Sequence, residues 1–173
     1  MYLITLYFDK KTTEELQRWI ALVARETDNT FMTENHVPPH MTLCAFDAPD
    51  EETAKRLFEE MSLPVAGDVQ LVSLGAFLPH VLYVGAVYCE YLHRLSLCVD
   101  SVLKRDTSVR IRQAYRPFSW IPHVTIGKQL TKAELNRAFT VLQERFRVIK
   151  GSVVRIGLSA TNSYRDLEIR ELS

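Results

Sequence analysis

One pentapeptide occurs twice in this chain. Pro39-His40-Met41-Thr42-Leu43 returns 83 positions later as Pro122-His123-Val124-Thr125-Ile126, and the pattern C-terminal to each copy returns with it. Ala54, Leu57, Phe58 and Met61 carry the i, i+3, i+4, i+7 spacing of one helix face, and Leu135, Ala138, Phe139 and Leu142 carry it again 81 positions on. Val72-Ser73-Leu74-Gly75-Ala76 then matches Ile156-Gly157-Leu158-Ser159-Ala160 at an offset of 84. So steady an offset marks an internal duplication. Two copies of one unit pack most simply about a pseudo-twofold axis, with corresponding strands facing each other across a cleft.

The rest of the chain fits that frame. Leu16, Trp19, Ile20 and Val23, and later Leu92, Leu95, Val99 and Val102, predict two more helices, one ahead of each His-containing segment. Thr12 to Glu15 and Thr131 to Glu134 have the spacing of a capping box, and the helix after Pro49-Asp50 opens with acids that suit its dipole. Runs rich in β-branched and aromatic residues predict strands over 2–8, 41–46, 69–77, 81–88, 124–127, 153–160 and 167–172. The order is strand, helix, strand, helix, strand, then the same again with one strand left over. The expectation is an α+β, bilobal, duplicated fold: one unit over residues 1–173, with repeats at about 1–80 and 81–173 around a central cleft.

Composition narrows the class. With 47% apolar and 24% charged residues the chain reads as globular rather than disordered or fibrous. No apolar run approaches the roughly 20 residues of a membrane helix, and Met1 to Phe8 lacks the basic leader of a signal peptide, so a cytoplasmic monomer without membrane contact is expected. Cys44, Cys89 and Cys98 are odd in number and lack CxxC spacing, which argues against disulfides and zinc fingers; Cys44 and Cys98 read as buried core thiols. His36, His40 and Cys44 are four apart, but Pro38-Pro39 prevents a helix from gathering them, so no metal site is expected. The charge is zero overall, yet residues 1–87 hold 6 basic and 13 acidic side chains while residues 88–173 hold 15 and 8. The second half is the better anion binder.

Residues i and i+2 of a strand share a face, so His40 projects with Thr42 and His123 with Thr125. Brought together by a twofold, they furnish two imidazoles and two hydroxyls. That set suits displacement at phosphorus, where a base activating the nucleophile and an acid protonating the leaving oxygen stand on opposite sides of the reacting centre. Hydroxyl donors stabilise the charge gathering on the non-bridging oxygens. A single His-x-Thr is ordinary strand sequence; two copies held at the offset of the duplication are a site.

With these two motifs, their spacing and their flanking helices, the sequence resembles the 2H phosphoesterase superfamily, most closely its bacterial branch of 2′-5′ RNA ligases and RNA 2′,3′-cyclic phosphodiesterases. The resemblance spans essentially the whole chain. It implies a cofactor-free, metal-independent cleft with His40, Thr42, His123 and Thr125 as the catalytic set. The implied partner is an RNA end or a small cyclic nucleotide, with no obligate protein partner. It also suggests that His123 activates water while His40 protonates the leaving oxygen. The implied activity is hydrolysis of 2′,3′-cyclic phosphates. Cleavage or ligation of 2′-5′ bonds is the alternative within the same chemistry, and a nucleotide- or RNA-end-binding module without turnover is the alternative outside it.

Further substrate contacts are weaker candidates. Lys104 to Trp120 concentrates Arg110, Arg112 and Arg116 with Tyr115, Phe118 and Trp120, a pattern that grips phosphates and stacks bases or else forms a solvated loop. Lys128 falls where similar proteins often carry a basic residue, and Phe46 either walls the cleft or ends its strand in the core. His80 and His93 read as surface residues.

Overall fold

In the computed structural model, which describes residues 1–161 and 164–173, the strands are β1 (Tyr2–Phe8), β2 (Met41–Asp47), β3 (Gly67–Phe77), β4 (Val81–Ala86), β5 (Arg110–Ile111), β6 (His123–Gly127), β7 (Ile149–Ala160) and β8 (Arg165–Glu171). The helices are α1 (Lys10–Thr27), α2 (Phe31–Glu34), α3 (Glu51–Glu59), α4 (Glu90–Leu103) and α5 (Lys132–Arg145). The fold is α+β, and every strand pairing among the described residues is antiparallel.

Strand order is β1-β2-β6-β4-β3-β7-β8, and β1 also pairs with β7, so six strands close into a ring while β8 lies outside β7. The ring closes because β7 is long. Its first residues pair with β3, from Leu71↔Ile149 to Gly67↔Val153, and its remainder pairs with β1, from Phe8↔Val153 to Tyr2↔Ala160.

The pairings carry the offset of the sequence. Met41 on β2 pairs with Val124 on β6, its own equivalent 83 residues on. On the opposite side of the ring Asp68 pairs with Ser152, 84 residues on, and the Ser152 hydroxyl donates to the Asp68 carboxylate at 2.6 Å. Thr5↔Thr42 in β1–β2 answers to Tyr83↔Thr125 in β4–β6, and in both the register slips by one residue at the next position.

That slip is a β-bulge, and it decides which side chains reach the cleft. Beyond Thr42 the extra residue, Leu43, inverts the alternation, so Cys44 and Phe46 lie opposite Ile4 and Tyr2. Phe46 is therefore fully buried, its ring 5.8 Å from that of Tyr2. The reading of Phe46 as a cleft wall is corrected: it is a core residue.

Helices cover the ring's apolar side. α1 packs on β6 and β7 and α4 on β2 and β3, so the first helix of each half rests on strands that include the other half's. Leu16, Trp19, Ile20 and Val23 are buried on α1, and Leu92, Leu95, Val99 and Val102 on α4, as their spacing predicts. α5 starts with the expected Thr131–Glu134 capping box. α1 does not start at its own. Asp9 is its cap, accepting the Thr12 N–H at 2.9 Å and also the Ser152 N–H at 2.8 Å, so a single carboxylate ties the helix start to β7. Of the cysteines, Cys44 is buried, while Cys98 is only half-buried, its sulfur 2.9 Å from the Ser62 carbonyl.

Candidate active site

His40 immediately precedes β2 and His123 opens β6. Carrying the Met41↔Val124 register one residue to either side sets His40 across from Thr125 and Thr42 across from His123. Met41 and Val124 turn away and are fully buried, while all four motif residues line one cavity of about 850 Å³. Lys128 lines the same cavity, as do Tyr115, Trp120 and Tyr164. Among the described residues lining it, Lys128 is the one charged side chain and there is no carboxylate, so the cavity suits an anion.

Both histidines are held in the same way. Nδ1 of His40 lies 2.8 Å from the Pro38 carbonyl, and Nδ1 of His123 lies 2.8 Å from the Ile121 carbonyl. A carbonyl has no proton to give, so Nδ1 carries the hydrogen in each ring. A neutral ring then presents Nε2 as an acceptor; a protonated one presents it as a donor. Those are the two states that base and acid need.

Burial shifts both imidazoles downward from the ordinary histidine range. For His40, the carbonyl of Pro38 and the charge of Asp166 act in the opposite sense, while His123 and Lys128 reinforce the fall. For His123 only the Ile121 carbonyl opposes burial. Neutral imidazole is thus favoured near pH 7, with proton uptake available when an anion enters.

Aromatic rings flank each histidine. Tyr164 stacks on His40 with centroids 5.2 Å apart, and Tyr7 stands at 6.4 Å. Phe77 and Tyr83 meet His123 at steep angles, 4.8 and 5.3 Å away. These four rings were not legible as site residues: they lie in apolar strands or just beyond one, and only the ring closure brings them to the histidines.

The basic segment divides. Trp120 is buried beside the cavity and donates its indole N–H to the Thr42 carbonyl at 2.9 Å, so it joins the segment before one motif to the other motif. Arg112 pairs with Asp47 at 2.8 Å and Arg116 with Asp100 at 2.9 Å, and Arg110 sits on β5 across from Asp47. None of the three arginines lines the cavity. Their role as phosphate grips is corrected, since Arg112 is engaged by a carboxylate of the acidic first half and Arg116 by one on α4. Phe118 is also outside the cavity; 79% exposed, it packs on His93 at 4.7 Å. His93 in turn bonds to the Tyr88 hydroxyl at 2.8 Å, and His80 bonds to the Leu130 carbonyl at 2.8 Å. No cluster of three or more His, Cys, Asp or Glu suited to a metal ion occurs among the described residues.

Two equivalent His-x-Thr pairs are thus presented by one antiparallel ring to one anion-suited cavity. The chain belongs to the 2′-5′ RNA ligase superfamily, whose family model matches residues 9–165. It is similar in fold to E. coli LigT, solved in complex with 3′-AMP, at 18% identity and a TM-score of 0.65, over 99% of this chain and 97% of that one. It is likewise similar to TT0787 of Thermus thermophilus, at 17% identity and a TM-score of 0.64, over 99% and 97% of the two chains. No curated protein matches it in sequence. Its activity is of the phosphoesterase or ligase type that the superfamily defines.

Proposed function

We propose that this protein hydrolyses 2′,3′-cyclic phosphates on RNA ends or nucleotides by paired-histidine acid–base catalysis. The observation that carries the reading is the twin arrangement of His40 and His123, each with Nδ1–H committed to a carbonyl two residues back and each lining one cavity with a threonine. Superfamily membership supports it, and so does the capture of 3′-AMP by LigT, a nucleotide monoester of the kind such a reaction leaves.

In this scheme His123 is neutral and takes a proton from water as the water oxygen bonds to phosphorus. The bond from phosphorus to one ribose oxygen breaks, and that oxygen takes the proton of His40. The enzyme ends with His123 protonated and His40 neutral, and exchange with solvent resets the pair. Thr42 and Thr125 donate to the non-bridging oxygens as charge gathers there, and Lys128 offsets the charge of the bound phosphate. No step calls for a metal.

The family match also favours a second reading, cleavage or joining of 2′-5′ phosphodiester bonds, with the same groups acting on an acyclic linkage. One experiment separates the readings. Cyclic mononucleotides, short RNAs ending in a cyclic phosphate, and 2′-5′ dinucleotides are incubated with the protein in chelator, and products are resolved by phosphate position. The expected result is a single monoester isomer from the cyclic substrates. Turnover of 2′-5′ dinucleotides alone establishes the second reading, and saturable nucleotide binding without any turnover makes the protein a binding module.

A further inference from the structure

The two histidines share register, tautomer and cavity. What differs is behind them, and the difference comes from β8, the strand for which the other half has no counterpart. β8 pairs with the outer edge of β7 and sets Asp166 opposite Ser159. There the carboxylate gathers hydroxyls. Tyr7 donates to Asp166 Oδ1 at 2.5 Å and Ser159 donates to the same oxygen at 2.7 Å. The Tyr7 hydroxyl has one proton, and with that proton on Asp166 it accepts from Tyr164, 2.8 Å away. The ring so anchored is the one stacked on His40, at 25° to the imidazole.

We propose that Asp166 is a positioning residue for His40, acting through the Tyr7 and Tyr164 hydroxyls, and that β8 in this way gives two otherwise equivalent histidines different tasks. The chain runs from the cavity to the charge: His40 ring, Tyr164 ring and hydroxyl, Tyr7 hydroxyl, carboxylate. Each O–H in it is polarised toward the anion, which enriches the Tyr164 ring in electrons. An electron-rich ring face and a nearby negative charge both favour the protonated imidazole. The Pro38 carbonyl holds the ring's other end, so its plane is fixed from two sides.

The groups facing His40 are known from every side. Asp166, from β8, favours its charge; His123 from β6 and Lys128 just beyond β6 oppose it. Tyr7 from β1 lies under the Arg155 guanidinium of β7, 5.7 Å from its ring, and its phenol is held far above the ordinary range by burial and by Asp166, so Tyr7 stays a donor. No carboxylate acts on His123 among the described residues; Phe77 and Tyr83 surround it instead. Asp166 is thus the carboxylate that acts on the pair among the described residues, and it acts on His40, the ring given the acid's part in the scheme above. This rests on the paired-histidine reading above.

The test tracks His40 and His123 separately by NMR titration in the wild type, Asp166→Asn and Tyr7→Phe, beside the pH dependence of kcat/KM on a cyclic nucleotide. Asp166→Asn is expected to lower the His40 midpoint by about one pH unit, equivalent to tenfold in its proton affinity, and to leave His123 in place. The alkaline limb of the rate profile moves to lower pH with it, and KM stays near its wild-type value. Tyr7→Phe keeps the carboxylate but leaves the Tyr164 hydroxyl only its long contact with Asp166, at 3.5 Å, so it is expected to move the His40 midpoint in the same direction. If the His40 midpoint is unmoved in both folded variants, or if both histidines move together, the proposal is overturned. If Asp166→Asn does not fold, Tyr7→Phe decides alone. Because the titration needs no turnover, an inactive wild type would sink the functional reading and leave this one to be judged by the midpoints.

Discussion

Met41 and Val124, the middle residues of the two His-x-Thr motifs, are paired with each other, so the approximate symmetry axis passes between them. Each histidine then lies across the strand pair from the other motif's threonine. The four side chains line one cavity because a single register sets them on the same face of the strand pair.

Removal of either imidazole tests this arrangement. His40→Ala and His123→Ala are each expected to lower kcat by at least roughly 10², since proton transfer is needed in the transition state, while KM changes little. Asparagine replacements are the sharper test: the side-chain amide keeps a donor for the Pro38 or Ile121 carbonyl but moves no proton. Full stability with lost turnover is the expected result for both. Near-wild-type turnover in either single variant would remove acid–base chemistry from the account.

In the proposed scheme the threonines act on charge rather than protons. Thr42→Val and Thr125→Val each remove a hydroxyl donor of nearly unchanged shape and should lower kcat by about 10². Serine at the same position should restore most of it. A change in KM alone would make the hydroxyls ground-state contacts.

Much of this was legible in the sequence because the duplication repeated it. His40, Thr42, His123 and Thr125 were readable because strand alternation puts them on one face, and α1, α3, α4 and α5 because their apolar spacing is regular. Phe46 was misread for a local reason: a one-residue bulge inverts the alternation past Thr42, and nothing in Leu43-Cys44-Ala45 announces it. α2 and β5, of four and two residues, are too short for any periodicity. The arginines were misread for a nonlocal reason, since sequence does not show that Asp47 and Asp100 fold back onto Arg112 and Arg116. The link of Tyr7 to Tyr164 and Asp166 left no signal, since these lie 157 and 159 residues further along the chain and meet it only when the ring closes.

Burial of the two imidazoles sets a pH dependence of folding. Both pKa values fall below the ordinary value of 6.5, so below that pH the unfolded chain binds protons that the folded chain binds less readily. Stability is fully present above about pH 6.5 and is lost as pH falls toward the folded values. Thermal melts should therefore show a lower Tm at pH 5 than at pH 7.5. The double variant His40→Gln, His123→Gln should flatten that difference. Inorganic phosphate, which pairs with the protonated rings, should raise the low-pH Tm in the wild type more than in the variant. A pH slope identical in both proteins would show that these histidines are not its source.

Charge in the cavity comes from Lys128, and this separates it from the arginines 12 to 18 positions earlier. Its ammonium lies 5.7 Å from the Phe31 ring centre, and both side chains line the cavity. Lys128→Met should weaken binding of a cyclic nucleotide about tenfold, the scale of one phosphate contact in a partly desolvated site. For an RNA end it should also reduce the salt slope of log affinity by about one. Arg112→Gln with Arg116→Gln should behave differently, because each of these cations already faces a carboxylate 2.8 to 2.9 Å away. Loss of the exposed Arg112–Asp47 pair should cost up to about 1 kcal/mol of stability and loss of the part-buried Arg116–Asp100 pair more, with nucleotide KM and salt slope retained. The deciding measurement is affinity against salt for both variants, using the same cyclic-phosphate RNA. A salt slope that survives in Lys128→Met and drops in the double arginine variant would move the phosphate grip out of the cavity and onto the loop before β6.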